Sequence, residues 1–186
     1  MLTDSAARWL LVLHTGLGVA AVGAATHLFL WLRRGSPRRS TVRFAWLVVA
    51  LMTGAFLAGN VMYPTYKVEV RAAYLENPGA VTAAAAAHDR ELARGAAREH
   101  QQPPESTATV ALVHRAAQAA RWFDMKEHWV ALGLFASAAL LLILHRWTLG
   151  DGPAVAPFVL GLAVVASGTT WFAAIIGILT AAWRAI

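Results

Sequence analysis

Residues 44–63 read FAWLVVALMTGAFLAGNVMY, a run without a single charged side chain. About 20 apolar residues are what an α-helix needs to cross the hydrocarbon core of a bilayer. Three further apolar runs lie along the chain, at about residues 8–32, 126–147 and 154–183. The sequence therefore predicts an all-α integral membrane protein, a four-helix bundle with a long loop between spans two and three.

The composition is also typical of a membrane protein. Hydrophobic residues make up 58% of the 186 residues and charged residues only 14%, whereas soluble domains carry roughly 25% charged residues. The net charge is +6, but the excess is concentrated in one short loop and does not form a basic face, so we predict no nucleic-acid partner. We expect residues 1–186 to form a single membrane domain in contact with lipid.

The charged residues between the first two spans predict the orientation in the membrane. Five arginines lie there with no acidic residue among them: Arg33, Arg34, Arg38, Arg39 and Arg43. Short loops rich in Lys and Arg stay on the cytoplasmic side. We therefore expect a bacterial-type inner (plasma) membrane location, with both termini and the loop 65–125 extracytoplasmic. Spans one and three then run parallel, from outside to inside.

The loop 65–125 is too long to be a plain connection. Pro64 is expected to end span two. An Ala-rich stretch with scattered charges, from Ala80 to Arg98, predicts a polar surface helix. Residues 110–123 carry apolar side chains at helical spacing, which predicts an amphipathic helix that leads into the third span.

Histidines are the side chains of this chain best suited to bind a metal or cofactor. The chain has no cysteine, so thiolate-held metal sites, iron–sulfur clusters and covalently attached c-type haem are excluded. Of seven histidines, four lie in spans one and three: His14 and His128 near the outer ends, His27 and His145 near the inner ends. Ionisable residues inside a membrane are costly and by default mark function.

The placement of these histidines predicts a haem site. In an up-down four-helix bundle, spans one and three lie on a diagonal, and two imidazoles facing each other there can ligate the iron of a flat macrocycle. Gly18 follows His14 by one turn and Gly23 precedes His27 by one turn. Each glycine lies on the face of its histidine, where it leaves space for a haem ring.

In His14, His27, His128 and His145 the chain resembles the di-haem membrane cytochromes b. These proteins hold two b-type haems stacked across the membrane by paired histidines on two bundle helices. The resemblance implies haem b as cofactor, with these four histidines as iron ligands. It also implies electron transfer between a quinone pool and an outward-facing redox partner protein or membrane complex, by an electron-transfer subunit or a quinol-linked oxidoreductase.

The number of haems stays open. His14 and His27 are 13 residues apart, which places them roughly 140° apart around a helix that turns by about 100° per residue. His128 and His145 are 17 residues apart, a difference of about 100°. One haem held by one pair is therefore an alternative to two.

A second class of function also stays open. Histidines at span ends can sit in the headgroup region without ligating anything. The alternative to a cytochrome is a non-catalytic membrane scaffold or assembly subunit that binds a partner through its long loop. Three loop histidines are expected to be solvated: His88, His100 and His114.

Charged residues near the outer interface offer two supporting roles. Residues around His128 could carry protons or orient its ring; these are Asp124, Lys126 and Glu127. Basic residues could pair with haem propionates; these are Lys67, Arg71 and Arg121. The ordinary interpretation of both groups is anchoring of span ends at the interface.

Overall fold

The computed structural model describes residues 4–35, 37–98, 116–146 and 154–184, and all of its regular structure there is helical. The chain forms two compact units, each described here by itself: Met1–Tyr63 with Met125–Ile175, and Pro64–Asp124 with Ile176–Ile186. In the described residues we number the α-helices α1 Asp4–Arg33, α2 Arg38–Thr65, α3 Pro78–Arg98, α4 Ala116–Arg146 and α5 Ala156–Arg184.

Four helical stretches are long and apolar enough to cross a membrane, as the sequence predicted. They are Ser5–Arg33, Arg38–Leu75, Ala120–Arg146 and Ala156–Leu179. Most of them extend beyond the predicted spans, because the helices continue past the end of the apolar run. The all-α class is confirmed.

The first unit has one shared apolar core, to which α1, α2, α4 and α5 all contribute. On α1 the buried residues recur every three or four positions, as one helix face requires: Ala21, Ala24, Ala25, Leu28 and Leu32. Several are alanines, and small residues let membrane helices approach closely. This face fixes the rotation of α1, and with it the directions of its two histidines.

Polar side chains join the helices inside the first unit. The indole Nε1 of Trp171 on α5 donates to Thr26 Oγ1 on α1 at 3.0 Å. On α4, the Ser137 hydroxyl lies 2.8 Å from the Gly133 carbonyl and 3.1 Å from Met52 Sδ of α2. Hydrogen bonds of this kind hold membrane helices together where lipid is as apolar as the core.

A glycine ends α1 and begins the turn to α2. Gly35 has a φ of 67°, the left-handed conformation that commonly ends a helix, and its amide donates to the Leu32 carbonyl at 3.1 Å. After the turn, the Arg38 guanidinium donates to the backbone carbonyl of His145. This contact places the start of α2 beside the end of α4.

In the second unit the chain continues as a helix where we expected a break. Pro64 lies inside α2, and a π-helical segment, Tyr66–Leu75, follows directly. The prediction that Pro64 ends the helix was therefore wrong. Proline removes a backbone donor and crowds the preceding turn, and a local change to the wider π register can restore the hydrogen bonding.

The second unit is held by an aromatic stack and an ion-pair network. The rings of Tyr66 and Phe123 stack at 3.9 Å between centroids, while Leu75 and Ala120 are buried together. The predicted polar helix from Ala80 to Arg98 is present as α3. Asn77 caps α3, because its Oδ1 accepts from the amides of residues 79 and 80 at 3.1 and 3.2 Å.

Candidate functional site

The His14 ring is held in a defined orientation by a hydrogen bond to the backbone of α2. It lies on α1, half-buried, with its Nδ1 at 2.8 Å from the Ala55 carbonyl of α2. A carbonyl only accepts, so the proton of the ring lies on Nδ1. In the neutral ring Nε2 then carries the lone pair, which is the form that binds a metal. Ligating histidines usually make this kind of second bond.

A glycine of α2 makes room for the His14 ring. Gly59 lies one turn after Ala55, and a Cβ at Gly59 would stand 3.2 Å from His14 Cε1. Nearby, a Cβ at Gly54 would stand 3.3 Å from Leu17 Cδ1. Ala55 and Gly59 were not predicted to be neighbours of His14. The signal was the pair of glycines five residues apart in span two, which mark close approach of a neighbour.

The two glycines predicted to flank a cofactor lie beside open space. A Cβ at Gly18 or Gly23 would meet no atom within 4 Å. Neither glycine is therefore needed for packing inside the protein. Both leave a flat stretch on α1 next to a histidine, which is compatible with a ring lying against the helix.

His27 lies among aromatic side chains near the other end of α1. Its exposed ring is 6.2 Å from the Trp31 ring and 6.1 Å from the Phe44 ring, between centroids. Trp31 and Phe44 pack against each other at 4.6 Å. His27 thus faces outward from the first unit, beside the open side of Gly23.

The two histidines of α4 are both exposed. His128 lies near the start of the predicted third span. At the other end, the backbone carbonyl of His145 accepts the hydrogen bond from Arg38, which fixes the main chain there. The predicted pairing of these histidines with His14 and His27 stays a prediction.

The charged residues predicted to lie at the outer interface divide between the two units. In the second unit, Arg71 bonds to Glu76 at 2.8 Å and to Asp124 at 2.6 Å, so it is committed to these carboxylates. Lys126 belongs to the first unit, as His14 does.

Of the three loop histidines, the structure describes only His88. His88 lies half-buried on α3 in the second unit, whereas His100 and His114 lie outside the described residues. Within the described ranges, no three side chains of His, Asp or Glu come together as a bare metal ion would require. A haem iron needs only one or two protein ligands, because the porphyrin supplies the other four.

Comparison with known proteins gives no family for the chain. No protein-family model matches the sequence, no curated protein matches it, and no solved structure matches the fold.

Proposed function

We propose that this membrane protein is a b-type haem cytochrome that carries electrons between a quinone pool and an extracytoplasmic partner. The observation that carries the proposal is the hydrogen bond from His14 Nδ1 to the Ala55 carbonyl, 2.8 Å long. It orients the ring and leaves Nε2 as the donor atom toward iron. Bound haem would supply one-electron chemistry by cycling its iron between two valence states.

The residues of the chain would hold and enclose the cofactor. His14 would provide one iron ligand, and Gly59 leaves the space that its ring occupies. His128 is the proposed second ligand on the outer side, while His27 and His145 are proposed for an inner haem. Gly18 and Gly23 leave the adjoining faces of α1 open. Lys126 would compensate the negative charge of a propionate.

A second function is supported by a different observation. The segment Pro64–Asp124 belongs to a compact unit with its own stacked aromatic pair and ion-pair network. A plain connection would not need these contacts. The alternative proposal is a scaffold or assembly subunit that binds a partner protein through this unit, without catalysis.

An optical spectrum separates the two proposals. The full-length chain, expressed with haem supplied and purified in mild detergent, is expected to show a Soret band and, after dithionite reduction, a sharp α band of a low-spin b-type haem. Two axial imidazoles per iron are the reason for the low-spin form. A preparation without Soret absorbance would overturn the cytochrome proposal and leave the scaffold proposal standing.

We also propose that the arginine-rich turn faces the cytoplasm. A reporter active only outside the cytoplasm, fused after Ile186, is expected to be active, and the same reporter inserted near Ser36 to be silent. The reason is the five-arginine segment, which resists translocation. A cytoplasmic reporter at both positions serves as the reciprocal control. An inactive extracytoplasmic fusion at Ile186 would contradict either the orientation or the even number of spans.

A further inference from the structure

The arginines around the turn between α1 and α2 form a positive surface without compensating carboxylates. Five of them are exposed: Arg33, Arg34, Arg38, Arg39 and Arg43. The sequence has no acidic residue between Asp4 and Glu69, and in the described part of the chain the ion pairs involve Arg71 and not these residues. Asp151, the single acidic residue after Glu127, could neutralise at most one of them.

One face of α2 combines this charge with exposed apolar side chains. Arg39 and Arg43 are one turn apart, and Trp46 and Leu47 follow one turn further into the span. Trp46 is 56% exposed and Leu47 is 44% exposed. The opposite face is buried in the first unit through Thr41, Ala45 and Val48. The exposed face of α2 is therefore basic at the start of the helix and apolar over the next turn.

This order of side chains matches one kind of partner. A phospholipid with a net negative headgroup presents phosphate at the interface and acyl chains beneath it. A nucleic acid or an acidic peptide would match the arginines but would leave Trp46 and Leu47 uncovered. Tryptophan is also the residue that prefers the headgroup level of a bilayer. Since Arg38 is held by the His145 carbonyl, the start of α2 is already positioned for binding.

We propose that this face of α2 is a binding site for an anionic phospholipid. Arg39 and Arg43 bind the headgroup phosphate, and the acyl chains lie against Trp46 and Leu47. No histidine side chain takes part in the site, although the backbone carbonyl of His145 holds Arg38 beside it.

The test is native mass spectrometry of the delipidated full-length protein in neutral detergent, titrated with phosphatidylglycerol or phosphatidylcholine. The wild type is expected to bind phosphatidylglycerol at least tenfold more tightly. Each basic residue near the surface contributes about fivefold to the attraction. Arg39→Gln with Arg43→Gln is therefore expected to remove most of the preference, while Arg39→Lys with Arg43→Lys is expected to keep it. Trp46→Ala should weaken the binding of both lipids by the same factor.

Matched controls come from α3, where Arg90 and Arg94 are also exposed but have acidic neighbours in Asp89 and Glu91. Arg90→Gln with Arg94→Gln is expected to leave both affinities within twofold. The wild-type preference should fall as ammonium acetate is raised from 0.05 to 0.5 M, which tests the charge contribution even if the glutamine variant misfolds. Equal binding of the two lipids by the wild type would overturn the proposal. So would a preference that survives the glutamine change, or full displacement of the lipid by millimolar inorganic phosphate.

Discussion

Replacing His14 with alanine is expected to abolish the haem signal of the outer site. The Soret absorbance per protein should fall to zero if one haem is bound and by about half if two are bound. The reason is that the His14 ring is oriented by the hydrogen bond from its Nδ1 to the Ala55 carbonyl, 2.8 Å long. His128→Ala is expected to have the same effect, because removing either axial ligand of one iron disrupts that site.

The supporting contact gives a second way to test the same site. Gly59→Leu is expected to displace the His14 ring and lower haem content, since even a Cβ at this position would stand 3.2 Å from Cε1. Gly168→Leu is the matched control, because a Cβ there meets nothing within 4 Å. His88→Ala, on α3, should leave the spectrum unchanged. A His14→Ala protein with full Soret absorbance would show that the iron ligands lie elsewhere.

The number of spans was predictable because it depends on a coarse property. Four long apolar runs avoid water only inside a protein core or in contact with lipid. Each run is long enough for a helix to cross a bilayer. The helix ends were less predictable. Past Pro64 the helix continues as the π-helical segment Tyr66–Leu75, because helix formation continues into polar sequence when tertiary contacts support it. The stack of Tyr66 on Phe123 is such a contact.

The contacts of His14 could not be predicted from the sequence. Sequence periodicity gives the direction in which His14 projects from its own helix. It does not give the neighbouring helix that lies in that direction. The rotation of α1 is set by the buried alanine and leucine face, and this depends on the other three helices together. The partner of His14 is a backbone carbonyl, at Ala55, and any residue type at that position offers one. Only the pair of glycines in span two, which includes Gly59, indicated that another helix approaches closely there.

Adding one methyl group at Gly133 is expected to destabilise the first unit by about 2 kcal/mol, within the range for overpacked cores. A Cβ at this position of α4 would collide with the Thr169 side chain of α5 and would stand 3.1 Å from Met52 Cε of α2. Thr169 and Met52 are 2% and 4% exposed. Gly133→Ala should therefore lower the melting temperature in detergent by roughly 4–8 °C, and Gly133→Val by more.

The collision is hard to relieve because both neighbours are themselves fixed. Thr169 Oγ1 donates to the Ala166 carbonyl at 3.0 Å, and Met52 Sδ lies 3.1 Å from the Ser137 hydroxyl. Thr169→Ala removes the nearest atom, so it should recover part of the loss in a Gly133→Ala background. Gly161→Ala is the control: a Cβ there meets nothing within 4 Å, and alanine favours the helix by up to about 1 kcal/mol. If the melting temperature of Gly133→Ala were no lower than that of Gly161→Ala, then α4 and α5 would not be in close contact at Gly133.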